Sequence, residues 1–378
     1  MFSRWPIRVL LTGILLFGVG IGLLMAAIAN QGRTQFFGSS GGNVNDISKF
    51  FCCSGTLGSL VKDSSGLQYI LSNNHVLADT DQAAPGQNIS QPGLVDNDCR
   101  PATTVAHFTV APHLGTNVDA ALAKLVAGTM NSGGSILGVG VPNPAPVSAK
   151  INMGVAKSGR TTGLTCGSVQ SVNTSVKVQY QKGCNQGLKF TISYTNQVVV
   201  ASSTFSAGAD SGSLIVSRSA AHPTALLFAG SSTTTIGNPI GQVLSHVSSS
   251  LGKQVSFVGS STRTTNVSCP ATAGVTSATH GGPSQVDIDR VAAVKQAHES
   301  DLMADPAVMA VGIGADEQNS ALITIYVETG RMHGEIPAEL EGVPTHIIST
   351  DRIRAYGWNE RQSQASANTN SCPARQPR

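Results

Sequence analysis

The chain has 378 residues, only 12% of them charged, and a formal net charge of +3 from 24 Lys and Arg against 21 Asp and Glu. The absence of a long basic block argues against a nucleic-acid partner, and 41 glycines with so few charges argue against a helical cytosolic protein. The length allows two domains and a sizeable core.

Arg4 and Arg8 precede an uncharged apolar run, 9–29, whose 21 residues would cross a hydrocarbon core of roughly 30 Å as a helix. The arginines should stay on the cytoplasmic side and send the remainder outward. Ala27-Ile28-Ala29 also fits a small-x-small cleavage site, so 1–29 reads as a signal peptide or a retained membrane anchor. Membrane contact is expected only through 9–29, and only if that run is not cut. The seven cysteines (Cys52, Cys53, Cys99, Cys166, Cys184, Cys269 and Cys372) suit an extracytoplasmic, secreted or periplasmic address. None forms a CxxC pair, which speaks against zinc. Cys166 and Cys184 could close a loop of about 19 residues, contributing roughly 3 kcal/mol. One of Cys52 and Cys53 could reach Cys99. The odd count leaves a free thiol or an intermolecular bond.

Residues 30–45 are polar and rich in Gly and Ser and read as a flexible linker. From 46 to 268 many short apolar runs, among them 56–61, 69–71, 120–126, 177–180, 197–200, 214–216 and 225–228, are broken by Gly, Ser, Thr, Asn and Pro. Short strands with frequent turn signals predict an all-β sandwich or barrels. A second polar linker is expected over 269–283. Beyond it, Ser284 and Asp287 have capping-box spacing ahead of one helix running to Ala304. Strands are expected at 308–313, 321–327 and 345–349, and Pro337-Ala338-Glu339-Leu340 is expected to start a short helix. These elements make a small α+β domain, 284–357. The tail 358–378 is read as disordered.

Three stretches carry chemistry. In Ala207-Gly208-Ala209-Asp210-Ser211-Gly212-Ser213 small neighbours let the chain turn tightly, so a hydroxyl and nearby N–H groups can face one carbonyl. In Tyr69-Ile70-Leu71-Ser72-Asn73-Asn74-His75 an apolar strand delivers a histidine at its end, where a general base can be held. Asp119 opens the apolar strand that follows it and can fix an imidazole's tautomer. The order is His75, Asp119, Ser211, with gaps of 44 and 92 residues. That order belongs to chymotrypsin-type enzymes and not to subtilisins or α/β-hydrolases.

On these residues the chain resembles the trypsin-like serine protease family. Ser72-Asn73-Asn74-His75-Val76 is most similar to its bacterial branches, and the resemblance spans about half the chain. It extends to Ala156-Lys157-Ser158-Gly159-Arg160-Thr161-Thr162-Gly163-Leu164, similar to the turn and strand that open the second barrel. Ala229-Gly230-Ser231 is similar to the strand lining the substrate's backbone and primary pocket. The C-terminal domain is similar to a segment following the protease domain in some bacterial relatives.

The resemblance implies two six-stranded β-barrels, a His75–Asp119–Ser211 triad between them, an oxyanion hole from the N–H groups of Ala209 and Ser211, and no cofactor. The substrate would be a protein or peptide. Ala209 stands where the family usually has Gly, so a Cβ must be accommodated there. Asp210 needs a partner other than a freshly cut N-terminus. Phe205, six residues before the serine, would stand at the pocket floor; with no carboxylate there, cleavage after Arg or Lys should be weak. The rival readings are an inactive protease fold used as a binding or adhesion module, and an ester hydrolase. His107 and His113 lack a partner pattern for a metal, and no metal site is expected.

Overall fold

The structure, a computed structural model, describes residues 31–49, 51–184, 186–201, 203–270 and 281–355. The apolar run 9–29, the tail 358–378 and Cys372 lie outside the described residues. No helix among the described residues is long and apolar enough to cross a membrane.

The chain is mostly β, with two curled sheets and few helices. The first sheet contains β1 (Ser39–Asn43), β2 (Gly55–Leu57), β3 (Ser59–Asp63) and β4 (Gln68–Ser72). After a four-residue helix, α1 (Asn74–Leu77), come β5 (Asn88–Gln91), β6 (Thr103–Val110) and β7 (Ala121–Leu125). The second sheet begins with β8 (Gly154–Gly159), the long β9 (Gly163–Gln181), β10 (Lys189–Ala201), β11 (Leu214–Ser217), β12 (Pro223–Gly230) and β13 (Thr234–Pro239). Helix α2 (Ile240–Leu251) then returns the chain to the first sheet through β14 (Val255–Phe257).

The first sheet is antiparallel in the order β14-β3-β4-β7-β6-β5-β1-β2, eight strands where six were expected. Two features account for the difference. Gly58 divides the run 56–61 into β2 and β3. The Gly/Ser stretch read as a linker is itself strand β1, fully buried and paired with β2 and β5. In the second sheet β10 pairs with both β13 and β9, so β10, β13, β12, β11, β8 and β9 close on themselves. Each sheet buries its inner face. Leu60, Ile70, Leu122 and Val105 belong to one core; Val155, Val169, Val200, Ile215 and Leu227 belong to another.

The C-terminal unit comprises α3 (Gln285–Ala304), β15 (Val308–Ala315), β16 (Ala321–Glu328), β17 (Glu339–Leu340), β18 (Val343–Thr350) and β19 (Arg354–Ala355). Ser284 caps α3 by accepting from the Asp287 N–H. β15 pairs with β9, which makes this unit's sheet continuous with the second sheet. The helix expected at 337–340 is absent; Glu339 and Leu340 instead pair with β18, a strand that satisfies their backbone on the edge of the sheet. α3 packs on β15 and β16 through Val291 and Val294.

Among the described residues three disulfides join Cys52 to Cys99, Cys53 to Cys184 and Cys166 to Cys269. The Cys166–Cys184 loop does not form. Cys166 sits near the start of β9, whereas Cys184 lies beyond its far end in the β9–β10 connection, where it meets Cys53 from the β1–β2 connection. Cys269, at the start of the expected second linker, is thereby pinned to β9.

Candidate active site

His75 lies in the short helix that follows β4. Two asparagines hold that turn. Asn73 donates to the Asp119 carbonyl at 2.6 Å, and Asn74 donates to the Pro112 carbonyl at 2.9 Å while accepting from the Asp81 N–H. Asp119 precedes β7, the strand paired with β4, and its N–H donates to Asn238 Oδ1 at 2.9 Å. His75 Nδ1 stands 2.6 Å from Asp119 Oδ2, with the acid fully buried and the imidazole nearly so. An ionised carboxylate only accepts, so Nδ1 carries the proton and Nε2 is left as a base. Nε2 is buried without a hydrogen-bond partner among the described residues.

A further group enters here that sequence reasoning missed. The Tyr180 hydroxyl donates to Asp119 Oδ2 at 2.9 Å. Since its one proton is spent on the carboxylate, Tyr194, 2.6 Å away, donates to Tyr180. Burial and the neighbouring Asp119 charge push the Tyr180 phenol well above its usual range, which keeps it a donor.

Ser211 lies in a loop pressed against the first sheet. Its carbonyl accepts from the Thr56 N–H at 2.8 Å, and the Ala209 carbonyl accepts from Thr56 Oγ1 at 3.0 Å. A Cβ on Gly55 would meet Val76 Cγ2 at 2.5 Å and the Ser211 carbonyl at 2.9 Å, so Ser211 lies across one glycine from the residue after His75. Gly212, at φ +94°, leaves no room for a side chain beside Ser72 Oγ and the Thr56 carbonyl. Ser211 Oγ faces the Phe228 carbonyl at 3.5 Å. Ala209 adopts φ +68°, a left-handed conformation held with its Cβ present, costing roughly 1–2 kcal/mol.

Asp210 has the alternative partner expected of it. Its Oδ2 lies 3.2 Å from Lys157 Nζ, both side chains wholly buried. The carboxylate also accepts from Thr162 Oγ1 at 2.6 Å, the Thr161 N–H at 2.8 Å and the Ala207 N–H at 3.0 Å. Three residues past Lys157, Arg160 makes a second buried pair, a two-pronged contact with Asp96 at 2.6 and 3.0 Å. The β8–β9 turn thus ties the serine loop to both sheets.

Phe205 is wholly buried in the core with Val155, Val200 and Leu227, its carbonyl accepting from Thr165 Oγ1. Ala229 and Gly230 end β12, paired with β13 on one edge and β19 on the other. Ser231 Oγ contacts Thr350 Oγ1 at 2.6 Å.

Asp46 and Asp79 form a hydrogen-bonded carboxyl pair near α1. Burial, then the Asp79 charge, raises Asp46 well above the usual carboxylate range, and burial raises Asp79 to about 6. Between its ordinary value of 3.8 and about 6, the folded chain holds a proton that the unfolded chain has released. Stability should therefore fall as pH rises through that window. Asp79→Asn is expected to flatten the fall in thermal midpoint between pH 4 and pH 7; a slope equal to wild type would show that this pair does not cause it.

No family model matches the sequence, and no curated protein matches it. Several solved structures of serine proteases are similar in shape. One is described as a glutamic acid specific serine protease that uses a histidine triad in substrate binding; it is 20% identical, covers 59% of this chain and 99% of that one, and has a TM-score of 0.41. Thermobifida fusca Protease A is 17% identical over 59% of this chain and 98% of its own, with a TM-score of 0.38. Nocardiopsis protease is 14% identical over 59% and 98%, with a TM-score of 0.39. Likeness at this level decides neither activity nor specificity, which must be argued from the side chains themselves.

Proposed function

We propose that this chain is an exported serine endopeptidase of the chymotrypsin-like, double-barrel type, acting on proteins or peptides through His75, Asp119 and Ser211. The observation that carries the reading is the nearly buried imidazole bound to a buried acid at 2.6 Å, its other nitrogen left without a partner among the described residues. Burying an unpaired acceptor is costly, so one that is kept calls for a role in which it meets a donor. A serine hydroxyl surrendering its proton is such a donor.

His75 Nε2 takes the Ser211 Oγ proton as Oγ attacks the peptide carbonyl, and Asp119 stabilises the imidazolium that results. The N–H groups of Ala209 and Ser211 bind the developing oxyanion, each such donor being worth about 3–4 kcal/mol of barrier. The imidazolium then protonates the leaving amine, and water releases the acyl group from Ser211 with His75 again as base. The three disulfides suit an oxidising, extracytoplasmic compartment.

A fluorophosphonate probe tests this directly. It should label Ser211 in the wild type and fail to label Ser211→Ala, with labelling lost or greatly slowed in His75→Ala. No labelling of the wild type, under conditions that label a control protease, would leave a protease fold without chemistry and favour a binding module.

A further inference from the structure

The end of β12 is an unusual piece of sheet edge. Its first half is covered on one side by β11, through Leu214 opposite Leu226 and Ile215 opposite Ala225. Further along, the chain that would continue that cover has turned away into the Ser211 loop. Gly212 N–H still donates to the Leu227 carbonyl, and Ser211 Oγ faces the Phe228 carbonyl. Past that point Ala229 and Gly230 offer a main-chain edge immediately beside Ser211. An open edge of this kind is a template for an added extended strand.

In this chain the edge is filled. β19 pairs antiparallel with it, Ala355 opposite Ala229 and Arg354 opposite Gly230. On its other side β19 meets β9, with Arg354 beside Gln179 and the Gln179 N–H donating to the Ile353 carbonyl at 3.1 Å. Ile353 is fully buried in an apolar cluster with Tyr180, Tyr194, Phe228 and Ala229, and Tyr180 is the residue that donates to Asp119. The segment is anchored from behind. Arg352 grips Glu328 with two hydrogen bonds of 2.9 Å, and Thr350 Oγ1 contacts Ser231 and Thr233. The direction matters as well. Because the strands are antiparallel, the chain passes Gly230, then Ala229, and so advances toward the end of the edge that Ser211 faces.

We propose that residues 353–355 occupy the slot between β12 and β9 as a tethered stand-in for substrate, Ile353 taking the place of a branched aliphatic side chain and Ala355 that of a small one. The docking follows from the pairing alone; that the occupant displaces a substrate rests on the protease reading above. The consequence is a chain that is latent toward long peptides until β19 leaves the slot. Competition with a tethered segment lowers apparent affinity by the fraction of chains in which the slot is empty.

The test uses the full chain and a fluorescent synthetic peptide of sequence Thr-Asp-Arg-Ile-Arg-Ala, identical to 350–355. Ile353→Asp puts a charge into the apolar cluster and should free the slot. Arg354→Pro leaves Ile353 in place but sets a proline between two neighbouring strands, where proline is not tolerated. Both variants should bind the peptide at least about tenfold more tightly than wild type. Wild type binding as tightly as either variant, or both variants failing to bind, overturns the proposal. Fluorophosphonate labelling in parallel separates the two ideas. Peptide uptake without labelling removes the protease reading and leaves the slot standing; labelling without uptake does the reverse.

Discussion

Asp119→Asn should lower kcat for peptide hydrolysis by about four orders of magnitude, or roughly 5.5 kcal/mol of barrier, while leaving the fold intact. The carboxylate accepts from His75 Nδ1 at 2.6 Å, and from the His75 N–H and the Tyr180 hydroxyl. An amide of the same shape can preserve much of that geometry. Its NH₂ group, however, would face Nδ1 as a donor, which favours the tautomer with the proton on Nε2 and leaves no base toward Ser211. The loss should be largest near neutral pH and should shrink at high pH, where hydroxide substitutes for the missing base. Tyr180→Phe gives the comparison. It removes one hydrogen bond to the acid without touching the His75 contact, and should cost about tenfold in kcat, in line with about 1–1.5 kcal/mol for one such bond. Steady-state kinetics on a peptide substrate, in a chain whose β19 slot has been opened, reads both. Equal losses in the two variants would mean that Tyr180, and not the tautomer, governs His75.

The unequal legibility of these residues has a physical origin. His75, Asp119 and Ser211 each sit two or three residues from the end or start of a strand, in polar or small-residue surroundings that mark a junction. Their order along the chain then narrows the chemistry. Tyr180 carries no such mark: an aromatic residue in an alternating strand reads as core, and its contact with Asp119 spans 61 residues. Strand β1 was hidden for the opposite reason. Ser39-Ser40-Gly41-Gly42-Asn43 has no apolar side chain to signal burial, yet all five residues are buried because their small size lets the strand lie close to its neighbours. The disulfide pairing depended on where the β9–β10 connection turns, which loop length alone does not reveal. The continuity of the C-terminal unit with the second sheet, through β15 on β9, is a long-range backbone pairing and leaves no local trace.

Lys157 was visible as part of a motif, but its role comes from burial, and it supports the second large prediction. Lys157→Met should destabilise the chain by about 3–5 kcal/mol, because it strands the Asp210 carboxylate in the interior without a countercharge. Lys157 is itself held against its preference. Burial lowers its pKa, and the Asp210 charge opposes that shift. The ammonium also donates to the Gly163 carbonyl at 3.1 Å and to Thr162 Oγ1, so it joins the β8–β9 turn to the serine loop. Without it, Asp210 still has the Thr161 and Ala207 N–H groups and the Thr162 hydroxyl, which can hold either an ion or a neutral acid with different geometry. Losing the ammonium also removes its contacts to Asp210 and the Gly163 carbonyl, loosening the turn immediately before Ser211. Activity should therefore fall along with stability. Lys157→Met combined with Asp210→Asn distinguishes charge from packing. If the unpaired ion is the main cost, the double variant recovers a large part of the loss seen in the single one, a coupling readable by denaturant unfolding. If the two losses simply add, the ion pair is not what holds the serine loop to the second sheet.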